Sequence, residues 1–166
     1  MCGIVGMCCL QSRAVVDPRE LECMMAMSRH RGPDEAGVYL DNQVALGHLR
    51  LSIIDLQSGC QPIHNEDGAL WIVYNGEAFN YVELKRRLEE QGHQFYTNSD
   101  AEVILHLYEQ YGSECVHDLN GQFAFAIWDV ANQELFLARD PVGICPLHYT
   151  VRNGRLIFAS EIKSIF

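Results

Sequence analysis

Gln122-Phe123-Ala124-Phe125-Ala126-Ile127-Trp128-Asp129-Val130 is apolar at nearly every position, on both alternating sets of side chains. A strand with one wet face alternates polar and apolar residues, so this one predicts a strand covered on both sides. The segments around it are also strand-like: 3–10 near the start, then 36–40, 43–48 and 70–75, and finally 134–139, 147–151 and 155–159. Asn153-Gly154 between the last two is a two-residue hairpin turn by composition. Hairpin-linked strands that are apolar on both faces, mixed with a few helices, predict two antiparallel sheets stacked on one another with helices outside. The expected class is α+β, an αββα four-layer sandwich.

Three helices are expected. Asp17-Pro18-Arg19-Glu20 has a cap, proline at the first helical position and glutamate at the third. Leu21, Met24, Met25 and Ser28 then share one face, a stripe that reads as core packing. Asn80 with Glu83 opens a second helix that Gly92 closes, and Ser99 with Glu102 opens a third that ends near Gly112.

The chain has 166 residues, enough for one domain with one core, and we expect that domain to span 2–166. The formal net charge of −10 argues against nucleic acid as a partner. No apolar run is long enough to cross a bilayer, and no basic leader precedes the short apolar segment at the start, so no membrane association and a cytoplasmic location are expected. Seven cysteines, with no CxxC pair, read as mostly free thiols, and the scattered histidines form no HxxxH or HExxH. Spacing therefore assigns no metal site. His30, His48, His64, His106 and His148 read as packing or surface, and Cys8, Cys9, Cys23, Cys60 and Cys115 as small hydrophobes.

Cys2 directly follows Met1. Aminopeptidases remove an initiator methionine before a small residue. The product would carry a thiol and a free α-amine on one residue, the amine about a tenth neutral at pH 7 and able to act as a base. By position alone, a cysteine at the second residue reads first as an accident. The rest of the chain decides otherwise. MCGIVG at the start is followed by RHRGPDEAG (29–37), GHLRLSIIDLQSGCQP (47–62), YNGE (74–77), TNSDAEVIL (97–105), LNGQFAFAIWD (119–129), LARDPVGICPLHY (137–149) and FASEIK (158–163). In this order and spacing the whole chain resembles the class II, N-terminal-nucleophile glutamine amidotransferases. Among them it is similar to the glutaminase domain of the asparagine-synthetase type.

The resemblance implies a function and a set of roles. The domain would hydrolyse glutamine to glutamate and ammonia through a thioester on Cys2. Asn75 and Gly76 match the oxyanion donors. Arg50 matches the clamp on the α-carboxylate, and Asp100 the group that holds the α-ammonium. Glu77, Ile53 and Ile54 match the pocket wall, and Arg31 with Gly32 the loop beside it. No metal and no cofactor are implied for this domain. ATP and magnesium belong to a synthetase domain, here absent, that would use the ammonia to make asparagine from aspartate. The implied partners are thus glutamine and that synthetase domain, and an oligomer is compatible. No SGGxDS loop occurs, and the chain stops at Phe166, so the domain is expected to be shortened at its C-terminal end.

Each site residue also has a plainer reading. Arg50 fits a snorkelling strand residue, Asp100 a favoured anion in a first helical turn, and Asn75-Gly76 a turn. Other functions stay open beside the leading one: an inactive glutaminase-like domain that senses glutamine or serves assembly, an amidase for other amides, or a zinc protein built on the cysteines. The chain departs from the family pattern at Ala78, Phe79, Gln122, Pro141, Cys145 and His148, positions expected to lie away from the pocket.

Overall fold

The computed structural model describes residues 1–11, 15–51 and 60–166. The two-sided apolar stretch forms β6 (Gly121–Asp129), which pairs with β5 (Leu70–Ala78) on one side and β7 (Glu134–Arg139) on the other. With the two-residue β4 (Ile63–His64) they make one antiparallel sheet, in the order β4-β5-β6-β7. The second sheet has the order β2-β3-β1-β9-β8. Its strands are β1 (Gly3–Cys9), β2 (Glu35–Leu40), β3 (Val44–Arg50), β8 (His148–Arg152) and β9 (Arg155–Ala159). It too is antiparallel throughout.

The alternation of β6 shows why both its faces are apolar. Ala124, Ala126 and Trp128 pack between the sheets with Val73 of β5 and with Ile4, Cys8, Val44, Leu46 and Phe158 of the other sheet. Phe123, Phe125 and Ile127 point the other way, onto Ala101, Ile104 and Leu105 of α3 (Asp100–Tyr111). Small alanines let the sheets approach, and the phenylalanines fill the wider gap under the helix. Gly6 serves the same fit, because a Cβ there would sit 2.4 Å from the Phe158 ring. On the far side, Leu21, Met24 and Met25 of α1 (Pro18–Ser28) cover Val5, Met7, Ala45 and Leu49. The αββα sandwich is therefore observed, with α1 outside one sheet and α2 (Tyr81–Glu90) and α3 outside the other.

The caps are partly as expected. Asp17 accepts from Arg19 N at 2.9 Å, and Ser99 accepts from Ala101 N at 3.2 Å. Asn80 does not cap α2. Its amide donates to Asp118 O at 2.8 Å and its oxygen accepts from Asn120 N at 3.0 Å, tying the helix start to the loop before β6. Glu102 likewise turns away from its own helix end and accepts from Tyr96 N and Thr97 N at 2.8 and 2.7 Å. Glu102 thereby satisfies the buried Thr97 N–H, which would otherwise have no partner. Gly92 and Gly112 close α2 and α3 with positive φ. A cross-sheet tie completes the frame: Asp41, in the β2–β3 turn, accepts from Gln43 N, from Val44 N and from Trp128 Nε1 of the opposite sheet. Among the described residues no helix is long and apolar enough to cross a membrane.

Candidate active site

Strand alternation carries the inter-sheet rows of side chains to one end of the sandwich. On β1 the row Cys8, Ile4 extends by parity to Cys2, and on β3 the row Val44, Leu46 extends to His48 and Arg50. On β5, Val73 is followed two residues on by Asn75. There the apolar rows give way to polar side chains around a cavity of about 220 Å³. Cys2, Arg50, Asn75, Gly76, Glu77 and Asp100 all line it, as does Met1. Ile53 and Ile54, the two remaining expected wall residues, lie outside the described residues.

The Cys2 sulfur is held at the edge of β3, 3.5 Å from Leu51 N and 3.8 Å from Leu51 O. Its carbonyl accepts from Arg31 Nε at 2.9 Å, and Arg31 Nη1 pairs with Glu161 Oε1 at 2.8 Å. The same guanidinium holds the Glu161 carboxyl below its usual pKa range. Arg31 thus fixes the backbone that carries the thiol, a firmer role than loop residue near the site. Gly32 allows the loop to pass, since a Cβ there would meet the Leu49 carbonyl at 2.2 Å.

Asn75-Gly76 is not a turn. Both residues lie within β5, opposite Ala124 and Phe123. Asn75 is 1% exposed, yet its Nδ2 has no hydrogen-bond partner among the described residues. An unpaired buried amide donor costs about 1–3 kcal/mol, so it calls for an acceptor that arrives from the cavity. Gly76 could carry no side chain, because its Cβ would lie 2.3 Å from the Gln122 carbonyl oxygen.

Arg50 is buried at 5% exposure and does not snorkel. Its Nη1 donates to Glu35 Oε2 at 2.6 Å, from the residue directly opposite on β2. Asp100 opens α3, but its carboxylate is oriented from the sheet. Oδ2 accepts from Tyr74 OH at 2.8 Å and from Ala78 N at 3.0 Å. Burial raises the Asp100 pKa above the ordinary carboxylate value, and burial with Asp100 nearby raises that of Tyr74. Arg50 and Asp100 thus place a cation and a carboxylate in one cavity wall, a set that can hold an amino acid's two charged ends. Glu77 is exposed at the rim.

Several wall residues differ from the expectation. His48, read as packing, lines the cavity, and burial pushes its pKa down to about 3, so it is neutral. Gln122 and Cys145, expected away from the pocket, also line it, because the β5–β6 register puts Gln122 opposite Glu77. Phe79 is exposed, and Ala78 is buried and contributes its N–H to Asp100. Tyr74 and Gln61 went unsuspected. Gln61 Oε1 accepts from Tyr74 N at 2.6 Å, bracing the strand that carries Asn75. Tyr74 could have been suspected from its place in the YNGE block. Gln61 likewise falls within the block at 47–62.

The sequence matches a family described as a glutamine amidotransferase domain over residues 1–166. It is 47% identical over 167 residues to asparagine synthetase [glutamine-hydrolyzing] 1 of Bacillus subtilis, covering 99% of this chain and 26% of that protein. It is 42% identical over 177 residues to amidase chyE of Penicillium rubens, covering 99% of this chain and again 26% of that protein. The chain therefore spans about a quarter of the length of these relatives. The solved glutamine phosphoribosylpyrophosphate amidotransferase of B. subtilis, complexed with ADP and GMP, shares the fold at a TM-score of 0.80 and 24% identity, over 98% of this chain and 42% of that one. The chain belongs to the glutamine amidotransferase domain family.

Proposed function

We propose that this domain hydrolyses glutamine to glutamate and ammonia with Cys2 as nucleophile. The observation that carries the reading is the unpartnered, buried Asn75 amide in the same cavity wall as the Cys2 thiol. Removal of Met1 frees the Cys2 amine, which takes the thiol proton as sulfur attacks the side-chain amide carbon of glutamine. The resulting oxyanion is held by Asn75 Nδ2 and the Gly76 N–H. The C–N bond breaks, the amine returns its proton to the leaving nitrogen, and ammonia departs from a thioester. Water then attacks the thioester, the amine accepts a proton from it, and the expelled thiolate is reprotonated as glutamate forms. Arg50 binds the α-carboxylate and Asp100 the α-ammonium, with Glu77 at the rim. No metal or cofactor enters these steps.

The fate of the ammonia follows the relatives named asparagine synthetase. In this reading a synthetase domain of the whole protein, using ATP and magnesium, takes the ammonia to convert aspartate to asparagine. The test of the glutaminase step is ammonia release by the Met1-free protein. Glutamine should release ammonia and asparagine should not, because the cavity must fit one side-chain length. Cys2→Ala should abolish release while leaving glutamine binding intact. Release retained in Cys2→Ala would overturn the mechanism.

A further inference from the structure

We infer that the side of the molecule formed by the β4–β5 loop, the α2–α3 connection and α3 carries a binding site for one first-row divalent transition-metal ion, zinc being the best fit. Glu66, His93 and His106 come from these three segments, and each offers a ligand atom within 4.8 Å of the others. Glu109, one turn along α3 from His106, supplies a fourth. Its Oε2 lies 3.0 Å from His106 Nδ1 and 3.4 Å from His93 Nδ1, and Glu66 Oε2 lies 3.9 Å from His106 Nδ1. Ligand atoms around a tetrahedral zinc, with bonds of about 2.0–2.2 Å, stand roughly 3.3 Å apart. These three separations lie near that spacing, so a small closure would let one ion bridge the two histidines and the carboxylates beside them.

The remaining polar atoms of the four side chains favour this geometry. Glu66 Oε1 accepts from Gln94 N at 2.8 Å, which leaves Oε2 turned to the histidines. Glu109 Oε1 accepts from Asn65 Nδ2 at 3.2 Å, with the same effect. His93 Nε2 lies 3.2 Å from Gln110 Oε1. His106 is fully buried, and its Nε2 has no hydrogen-bond partner among the described residues but lies 3.8 Å from the buried Glu102 carboxylate. A metal-bound imidazole with its other nitrogen facing a carboxylate is how proteins orient histidine ligands. Two imidazoles with two carboxylates suit zinc or its first-row neighbours over calcium or magnesium, which take oxygen. Glu66 and Glu109 keep 40% and 33% of their side chains exposed, so an ion can enter from solvent.

The ion would join three segments that no disulfide links. Glu102 already holds the backbone of Tyr96 and Thr97, next to Asn98, Ser99 and Asp100 in the cavity wall. The metal would thus stiffen that wall from behind, without taking part in the chemistry at Cys2.

The test is a cobalt titration of tag-free, chelator-treated full-length protein near neutral pH. We expect about one equivalent of Co²⁺ to give the visible bands of a tetrahedral ion without a thiolate charge-transfer band, and Zn²⁺ but not Mg²⁺ to displace it. His93→Ala and Glu109→Gln, whose side chains are 11% and 33% exposed, should each weaken binding about tenfold or more in competition with a chromophoric chelator. Their metal-free circular dichroism and Tm should match the parent, which separates lost binding from lost fold. No tetrahedral cobalt spectrum would overturn the site. So would a thiolate band, or a spectrum unchanged by His93→Ala.

Discussion

Replacing Asn75 by alanine separates two roles that the structure makes opposite in sign. If the Asn75 amide is there to meet an oxyanion, it is unsatisfied until the reaction begins, as its lack of a partner among the described residues indicates. Removing it then costs nothing in lost native hydrogen bonding and relieves a buried unpaired donor that costs about 1–3 kcal/mol. Against this stands a small void at a site already bordered by the cavity, so Tm should stay level or rise. The transition state loses a donor, which typically costs about 2.7–4 kcal/mol, so kcat should fall about 100- to 1000-fold. KM should change little, because the ground-state amide is not yet charged. Steady-state ammonia release with the Met1-free protein, read beside a thermal melt, measures both. A Tm loss with kcat retained would show that Asn75 is a structural residue and refute the oxyanion reasoning.

Four more outcomes follow from the same cavity. Protein that keeps an N-terminal tag should hydrolyse glutamine no better than Cys2→Ala, since the base is then tied into a peptide bond; normal turnover by the tagged protein would remove the α-amine from the mechanism. Arg50→Ala and Asp100→Asn should raise KM more than they lower kcat. Because burial raises the Asp100 pKa, KM of the unsubstituted protein should climb as pH falls toward that value, where the neutral acid no longer pairs with the α-ammonium, and Asp100→Asn should flatten this limb of the pH profile. A glutamine analogue with a diazo-ketone side chain should label Cys2 alone among the seven thiols, read by peptide mapping, with protection by glutamine; labelling spread over Cys23 and Cys60, the exposed cysteines, would indicate general thiol reactivity.

The sandwich was legible because its signal is periodic. β6 is apolar at both parities, and only a strand between two layers tolerates that. The helix starts were legible too, but the use of their caps was not: Asn80 and Glu102 serve loop backbone that sequence could not place beside them. Dipeptide statistics favoured a turn at Asn75-Gly76, and the pairing of β5 with β6 over its whole length overrides that preference. The family pattern brought out Cys2, Arg50, Asn75, Gly76, Glu77 and Asp100, and they line one cavity. It gave no reason to put Gln122, Cys145 and His48 there: strand register places Gln122 and His48, and the loop after β7, held by Asp140, places Cys145. The Glu66–His93–His106 cluster was illegible for a similar reason, since three separate segments supply it and no local spacing betrays it.

The position of β1 sets an order of events. The strand that follows Cys2 is third of five in its sheet, with β3 on one side and β9 on the other, and Val5 lies opposite Ala159. On a ribosome adding roughly 5–20 residues per second, the first strand made must wait on the order of ten seconds for its last neighbour. Until then the sheet has an open edge, and the backbone groups of Ile4, Gly6 and Cys8, which face β9, have no strand to pair with. The thiol spends that interval on a loose chain end, within reach of processing enzymes. Its cavity wall runs on to Gln122 and Cys145, residues made more than a hundred positions later. The site is thus among the last features of the domain to mature, although its nucleophile is among the first residues made.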